Sequence, residues 1–173
     1  MLTELVNALI TIKRSFMIQK LLINLLTLLT LFLFTKCSTD VTNELTDYDI
    51  KYLQSIADRD GELVVGKQWD TLAAQYTKDA VRHPPNGLPI LGRDSIRQWY
   101  NYLPPIKAFH FRMDELKGDG HYAYMRATYD ITLSPPGFPS ISDTGKTLIV
   151  FRKEPDGRWL RVVDAWSSNL PAK

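Results

Sequence analysis

The sequence predicts an α+β domain, on three observations. Helical periodicity is confined to the first half of the folded region, and alternation with period two fills the second half. Four extended segments in that second half are joined by short turns. Helices first and a meander second put the helices across one face of an antiparallel sheet. The 173 residues suit one domain, and 45% hydrophobic with 23% charged residues excludes wholesale disorder. The lone cysteine, Cys37, cannot close an intrachain disulfide, so the fold must rest on a packed core.

The elements follow in order from residue 45. Thr46 with Asp49 three residues later predicts a helix start, and Ile50, Leu53, Ile56 and Ala57 recur at helical spacing. Gly61 and Gly66 bracket a stretch that either continues this helix or breaks it. Trp69, Leu72, Ala73 and Tyr76 occupy i, i+3, i+4 and i+7, predicting a second helix of about two turns. Asp79 to His83 reads as a short strand that joins the sheet or its edge, and Pro84-Pro85-Asn86-Gly87 as a turn. A third helix spans Asp94 to Leu103, with Ile96, Trp99, Tyr100 and Leu103 on its apolar side. Pro104-Pro105 ends it, since proline lacks the amide donor.

Strands are predicted at 107–117, 121–133, 144–154 and 158–168, separated by Gly118-Asp119-Gly120, Pro135-Pro136-Gly137 and Pro155-Asp156-Gly157. Strands this long curve or carry bulges. On the second of them Ala123, Met125, Ala127, Tyr129, Ile131 and Leu133 form a buried face. Arg126 and Asp130, two steps apart on the other face, are candidates to pair.

Tyr76-Thr-Lys-Asp79-Ala80-Val81, Pro84-Pro-Asn-Gly87 and Gly92-Arg-Asp-Ser-Ile96 resemble the opening of SnoaL-like, ketosteroid-isomerase-like proteins. The second half agrees through Gly120-His-Tyr-Ala123-Tyr124, Asp143-Thr-Gly145-Lys146, Asp156-Gly157-Arg-Trp159 and Asp164-Ala-Trp166-Ser-Ser168. The resemblance runs from about residue 48 to Pro171. It implies the nuclear transport factor 2 cone: a curved antiparallel sheet wrapped around N-terminal helices, with a pocket at the open end. It implies a homodimer through the convex sheet face as well. Laid on this pattern, the isomerase's aspartate base falls on Pro84, which cannot abstract a proton, so the steroid-isomerase mechanism is not expected.

The candidate chemistry centres on His83 and Asp164. His83 adjoins the lost base position, and a histidine titrates near neutrality; the alternative is a surface histidine at a strand end. Asp164 shares parity with Val162 and Trp166 on the last strand, so the three are expected on one face. Facing each other across the pocket, the Asp164 carboxylate would orient the His83 imidazole for proton transfer. Tyr76 or Arg112 would supply a hydrogen bond to a developing oxyanion. Tyr76, Trp99, Arg112 and Trp166 are the expected ligand contacts, with core packing the alternative for the aromatics. No metal or cofactor is expected, because His83, His110 and His121 sit on different elements and no Gly-rich phosphate loop occurs.

Three functions stay open: binding of a small apolar molecule, acid–base catalysis on such a molecule, or a structural role with the cone filled by Trp69, Trp99 and Trp166. A nucleic-acid partner is disfavoured by charge. Residues 1–36 carry Lys13, Arg14, Lys20 and Lys36 against Glu4, a net +3 of the chain's +2, so residues 37–173 net −1.

Fifteen uncharged residues, Leu21 to Thr35, lie between Lys20 and Lys36. The run falls short of the roughly 20 apolar residues of a spanning helix and suits a signal peptide, with Met17 an alternative start. Cys37 directly after it, followed by Ser38-Thr39-Asp40, resembles a bacterial lipoprotein signal, although Lys36 stands where that family has a small residue. Residues 1–36 are thus expected to be a signal, 37–44 a lipidated tether and 45–171 the folded domain. The expected location is the bacterial cell envelope, lipid-anchored to the membrane. An unlipidated periplasmic or secreted protein is the alternative. Cys37→Ala should therefore release the protein or leave the precursor uncleaved, read by intact mass and membrane fractionation. Unchanged mass and fractionation would reject lipidation.

Overall fold

The computed structural model describes residues 13, 14, 17, 19, 20 and 44–171. Cys37 and the apolar run before it lie outside these. Among the described residues no helix is long and apolar enough to cross a membrane.

Helix α1 spans Asp47–Val65 and starts on a complete capping box between Thr46 and Asp49. Its buried stripe is Leu53, Ile56, Ala57 and Leu63, joined by the acids Asp49 and Asp60. The helix runs straight through Gly61, and packing explains that glycine: a Cβ there would stand 2.9 Å from the Phe109 carbonyl oxygen. Helix α2 (Trp69–Ala73) is shorter than its periodicity predicts. The Gln75 carbonyl accepts from the Arg161 amide at 2.8 Å, and Tyr76 enters the sheet instead of a second helical turn.

Strand β1 (Tyr76–His83) thus begins three residues earlier than expected. It is followed by the two-residue β2 (Ile90–Leu91) and by α3 (Arg93–Tyr100), which leaves Leu103 beyond its end. The meander comprises β3 (Ile106–Gly118), β4 (Tyr122–Leu133), β5 (Ile141–Lys153) and β6 (Trp159–Ser168). The six strands are ordered β2-β1-β6-β5-β4-β3. All neighbours are antiparallel except β1 and β6, a parallel pair that the sequence reading did not anticipate.

Two clusters make the core. Leu53, Ile56 and Ala57 pack on Met125, Ile149, Phe151 and Trp159, and Leu63, Trp69 and Leu72 pack with Tyr76, Ile96, Tyr100 and Ile106. The predicted buried face of β4 is observed, fully buried from Ala123 to Tyr129 and half-buried at Ile131 and Leu133. Arg126 does not pair with Asp130. It crosses to β3 and bonds Glu115 at 2.6 Å.

Asp49 joins the start of α1 to the far sheet. Its Oδ1 accepts from Trp159 Nε1 at 2.7 Å and Lys153 Nζ at 2.8 Å, while Oδ2 accepts from the Thr46 hydroxyl and amide. Burial alone would raise its pKa, but these donors outweigh burial and hold the carboxyl well below the usual range. Asp49→Ala, which strands the indole N–H and removes the cap, should cost roughly 2–4 kcal/mol in urea unfolding. Because the folded-state pKa is lowered, this contribution is complete above the unfolded value of about 4 and is lost as pH falls through the folded one. Asp49→Asn should accordingly show a shallower loss of stability between those values than the wild type.

Candidate functional site

The sheet curls around a cavity of about 320 Å³. Its walls are apolar: Val64, Leu72, Leu103, Ile106, Phe109, Phe111, Ile131, Leu133 and Ile149, with Trp99 and Trp166 to one side. Polar groups reach it from few places, chiefly Asp60, Arg82, Arg161 and Asp164, with Thr147 beside them and Tyr129 with Asp143 apart.

Asp164 is the hub of the first group. It is buried on β6 and accepts the Tyr76 hydroxyl at 2.5 Å and the Thr147 hydroxyl at 3.5 Å. Arg82 Nε on β1 lies 3.2 Å from its Oδ2, because Arg82 and Asp164 are register partners in the parallel pair. The Arg82 guanidinium is caged by aromatic faces, 4.5 Å from the Trp166 ring centroid, 4.6 Å from Trp99 and 4.7 Å from Tyr100. Trp99 and Trp166 themselves meet edge to face at 5.7 Å. A cation shielded from water on such faces gains more than it would at the surface. Arg161 on β6 pairs with Asp60 of α1 at 2.5 Å, and its guanidinium lies 5.4 Å from the Tyr76 ring centroid.

Burial dominates the electrostatics here. It pushes the Tyr76 phenol well above its ordinary range, and Tyr100 likewise, so both keep their protons. Burial alone would lower the Arg82 pKa, but the Asp164 carboxylate beside it, within a ring of tyrosine oxygens, outweighs burial and the guanidinium stays charged. Arg161 is held charged in the same way, chiefly by Asp60. Burial raises the Asp60 pKa in turn, opposed by the Arg161 guanidinium in contact with it.

The sequence-predicted residues are distributed unevenly. Trp99 and Trp166 stand in the cavity wall, and Tyr76 lies fully buried against Asp164. His83 does not meet Asp164: it is exposed, in register with Ala165, and the alternation of β1 gives the inward position to Arg82. Arg112 is also exposed and bonds Asp114, while its neighbour Phe111 lines the cavity. Val162 departs from its expected parity with Asp164. It is the extra residue of a bulge opposite the Val150–Phe151 step and is absent from the cavity wall. Pro84, at the isomerase base position, lines the cavity without a proton acceptor. Trp69 stacks on Tyr100 at 5.1 Å within the core, so the three tryptophans leave the cavity open.

Arg82, Asp60 and Arg161 were missed. A signal existed for two of them. Asp60 continues the stripe of Leu53, Ile56 and Ala57, and Arg82 shares parity with buried Ala80. Arg161 had none, because its inward direction depends on the bulge. Among the described residues no group of three or more His, Cys, Asp or Glu side chains could hold a metal ion.

The SnoaL-like domain family model matches residues 56–166. Among solved structures, a ketosteroid isomerase-like protein from Erwinia carotovora atroseptica is 19% identical, with a TM-score of 0.56 over 70% of this chain and 91% of that one. A conserved protein from Planctomyces limnophilus is 20% identical, with a TM-score of 0.63 over 71% and 99%. A protein of the nuclear transport factor 2-like family from Streptomyces avermitilis, proposed to be a dehydratase, is 17% identical, with a TM-score of 0.60 over 73% and 100%. At these identities the likeness is one of fold. A search of curated proteins found no match.

Breaking one of the buried pairs leaves a charge without its partner. Asp164→Leu should cost roughly 3–5 kcal/mol in denaturant unfolding, and adding Arg82→Met should recover more than half of that loss. A double variant no more stable than the single one would show that the pair's attraction is not what holds β1 to β6.

Proposed function

The chain belongs to the SnoaL-like domain family, and on that premise we propose that its cone binds a small, largely apolar molecule. The observation that carries this reading is the cavity itself: about 320 Å³, apolar walls, and a few convergent polar groups. Such a combination is the general form of a small-molecule site, in which the walls supply affinity and the polar groups fix orientation. Each arginine in the wall is paired with an acid, which leaves no cation over to balance an anionic ligand.

A second reading is acid–base catalysis, and one observation favours it. Asp164 reaches the cavity wall, and behind it the fully buried Tyr76, which is not part of that wall, donates its hydroxyl to the carboxylate at 2.5 Å. In this reading Asp164 accepts a proton from the bound molecule. The proposed dehydratase activity of the Streptomyces avermitilis neighbour is in keeping with it. From the sequence we further propose a cell-envelope location through lipid on Cys37, and association as a homodimer through the convex face.

A screen of small apolar molecules by native mass spectrometry should return ligands bound one to one. Ile131→Trp, which fills the cavity from β4, should abolish their binding while the circular dichroism stays unchanged. Ligands retained by that folded variant would remove the cone from consideration as the site.

A further inference from the structure

Resting on the binding reading above, we propose that the cavity holds its ligand in one direction. The ligand class is a neutral, elongated, largely apolar molecule with a hydrogen-bond acceptor at the Arg82 end and a hydrogen-bond donor at the Asp143 end.

The polar groups of the wall form two stations. At the first, the acceptors around Arg82 are already occupied: Asp164 takes the Tyr76 and Thr147 hydroxyls and lies against Arg82, and the Tyr76 and Tyr100 hydroxyls are 3.3 Å apart. Donors are in surplus here: Arg82 Nη1 and Nε have no hydrogen-bond partner, while the Asp60–Arg161 pair leaves one acceptor, Asp60 Oδ1, against one donor, Arg161 Nε. The second station has the opposite sense. Tyr129 on β4 directs its hydroxyl to Asp143 Oδ2 at 3.4 Å and to the Ser167 carbonyl at 3.3 Å. Burial, with Asp143 next to it, raises the Tyr129 pKa and keeps the phenol a donor. The remaining carboxylate oxygen, Asp143 Oδ1, is buried and has no partner. This station therefore offers an acceptor. Buried polar atoms without partners are rare and costly, and here the surplus donors of Arg82 and the acceptor of Asp143 lie on residues of one cavity with complementary demands.

The second station is built, not incidental. A Cβ on Gly145 would come within 2.4 Å of the Tyr129 Cζ and hydroxyl oxygen and within 2.2 Å of the Ser167 carbonyl oxygen. Only glycine lets the phenol cross β5 and reach β6. Asp143 and Thr147 are four residues apart on the same face of β5, so the stations are separated by about 13 Å. Phe109, Ile131 and the other apolar walls flank the space between them. A ligand meeting both must be long, with its polar groups at its ends. At the first station each arginine is paired with an acid, and the second adds a carboxylate, so an anionic ligand is disfavoured and a carbonyl or hydroxyl suits the Arg82 end.

The test uses four probes of one skeleton: naphthalene, 2-naphthol, 2-acetylnaphthalene and 6-acetyl-2-naphthol, titrated into the full chain by calorimetry. The bifunctional probe should bind tightest, each polar group adding about fivefold in affinity. In Asp143→Ala the gain from the hydroxyl should vanish while the gain from the acetyl persists. Four probes binding within twofold of one another would overturn the directional assignment and leave the binding reading standing. Binding by none of them would overturn both. A hydroxyl gain that survives in Asp143→Ala would put the donor's partner elsewhere and overturn the assignment. The wild-type series decides the matter even if that variant does not fold.

Discussion

Four buried charges, Asp60, Arg82, Arg161 and Asp164, are the constraint on which the rest of the domain depends. Asp60–Arg161 ties α1 to β6, and Arg82–Asp164 ties β1 to β6. Moving such ions out of water costs several kcal/mol each, a cost offset only if each finds its counterion at contact distance. That requirement dictates local geometry. Arg161 and Asp164 are three residues apart, a spacing that in a regular strand puts them on opposite faces. The bulge at Val162 turns both inward. The parallel register of β1 on β6 then sets Arg82 opposite Asp164, and Gly61 lets α1 lie close enough on β3 for Asp60 to come in from above.

The cavity follows from how those charges are covered. Aromatic faces enclose Arg82, and Tyr76 and Tyr100 fill the space between the two pairs. The charged cluster is therefore flanked by rings, and its members reach the cavity only between them. The result is an interior mostly without polar demands, with a few directed groups at fixed points. Asp49 performs the corresponding service at the other end of α1, where one carboxylate caps the helix and receives a lysine and an indole from the sheet. The helix is thus fixed at both ends by acids on its buried stripe.

Much of this was legible in the residues. The capping box, the helical stripe from Leu53, the turn signals and the period-two alternation of β4 are local patterns, and local patterns survive into the fold because they state which side chains must leave water. The boundaries failed where a distant partner intervened. Tyr76 has the spacing of a helical residue, but Arg161 takes the Gln75 carbonyl and draws the chain into the sheet. The site was legible in part for the same reason. Asp164, Trp99 and Trp166 stand in the cavity wall, where parity and helical spacing pointed, while Tyr76 lies behind Asp164 outside it. His83 and Arg112 were misplaced by a single residue each, since one step along a strand exchanges inside for outside.

By itself, then, the sequence determined the fold class, the order of the long elements and most of the apolar side chains that would be buried, because hydrophobic periodicity is written locally. Only the tertiary structure decided which charged groups meet. A bulge of one residue, a parallel pairing between strands some eighty residues apart and the approach of a helix through a glycine all act at a distance. Together they make Arg82 rather than His83 the partner of Asp164.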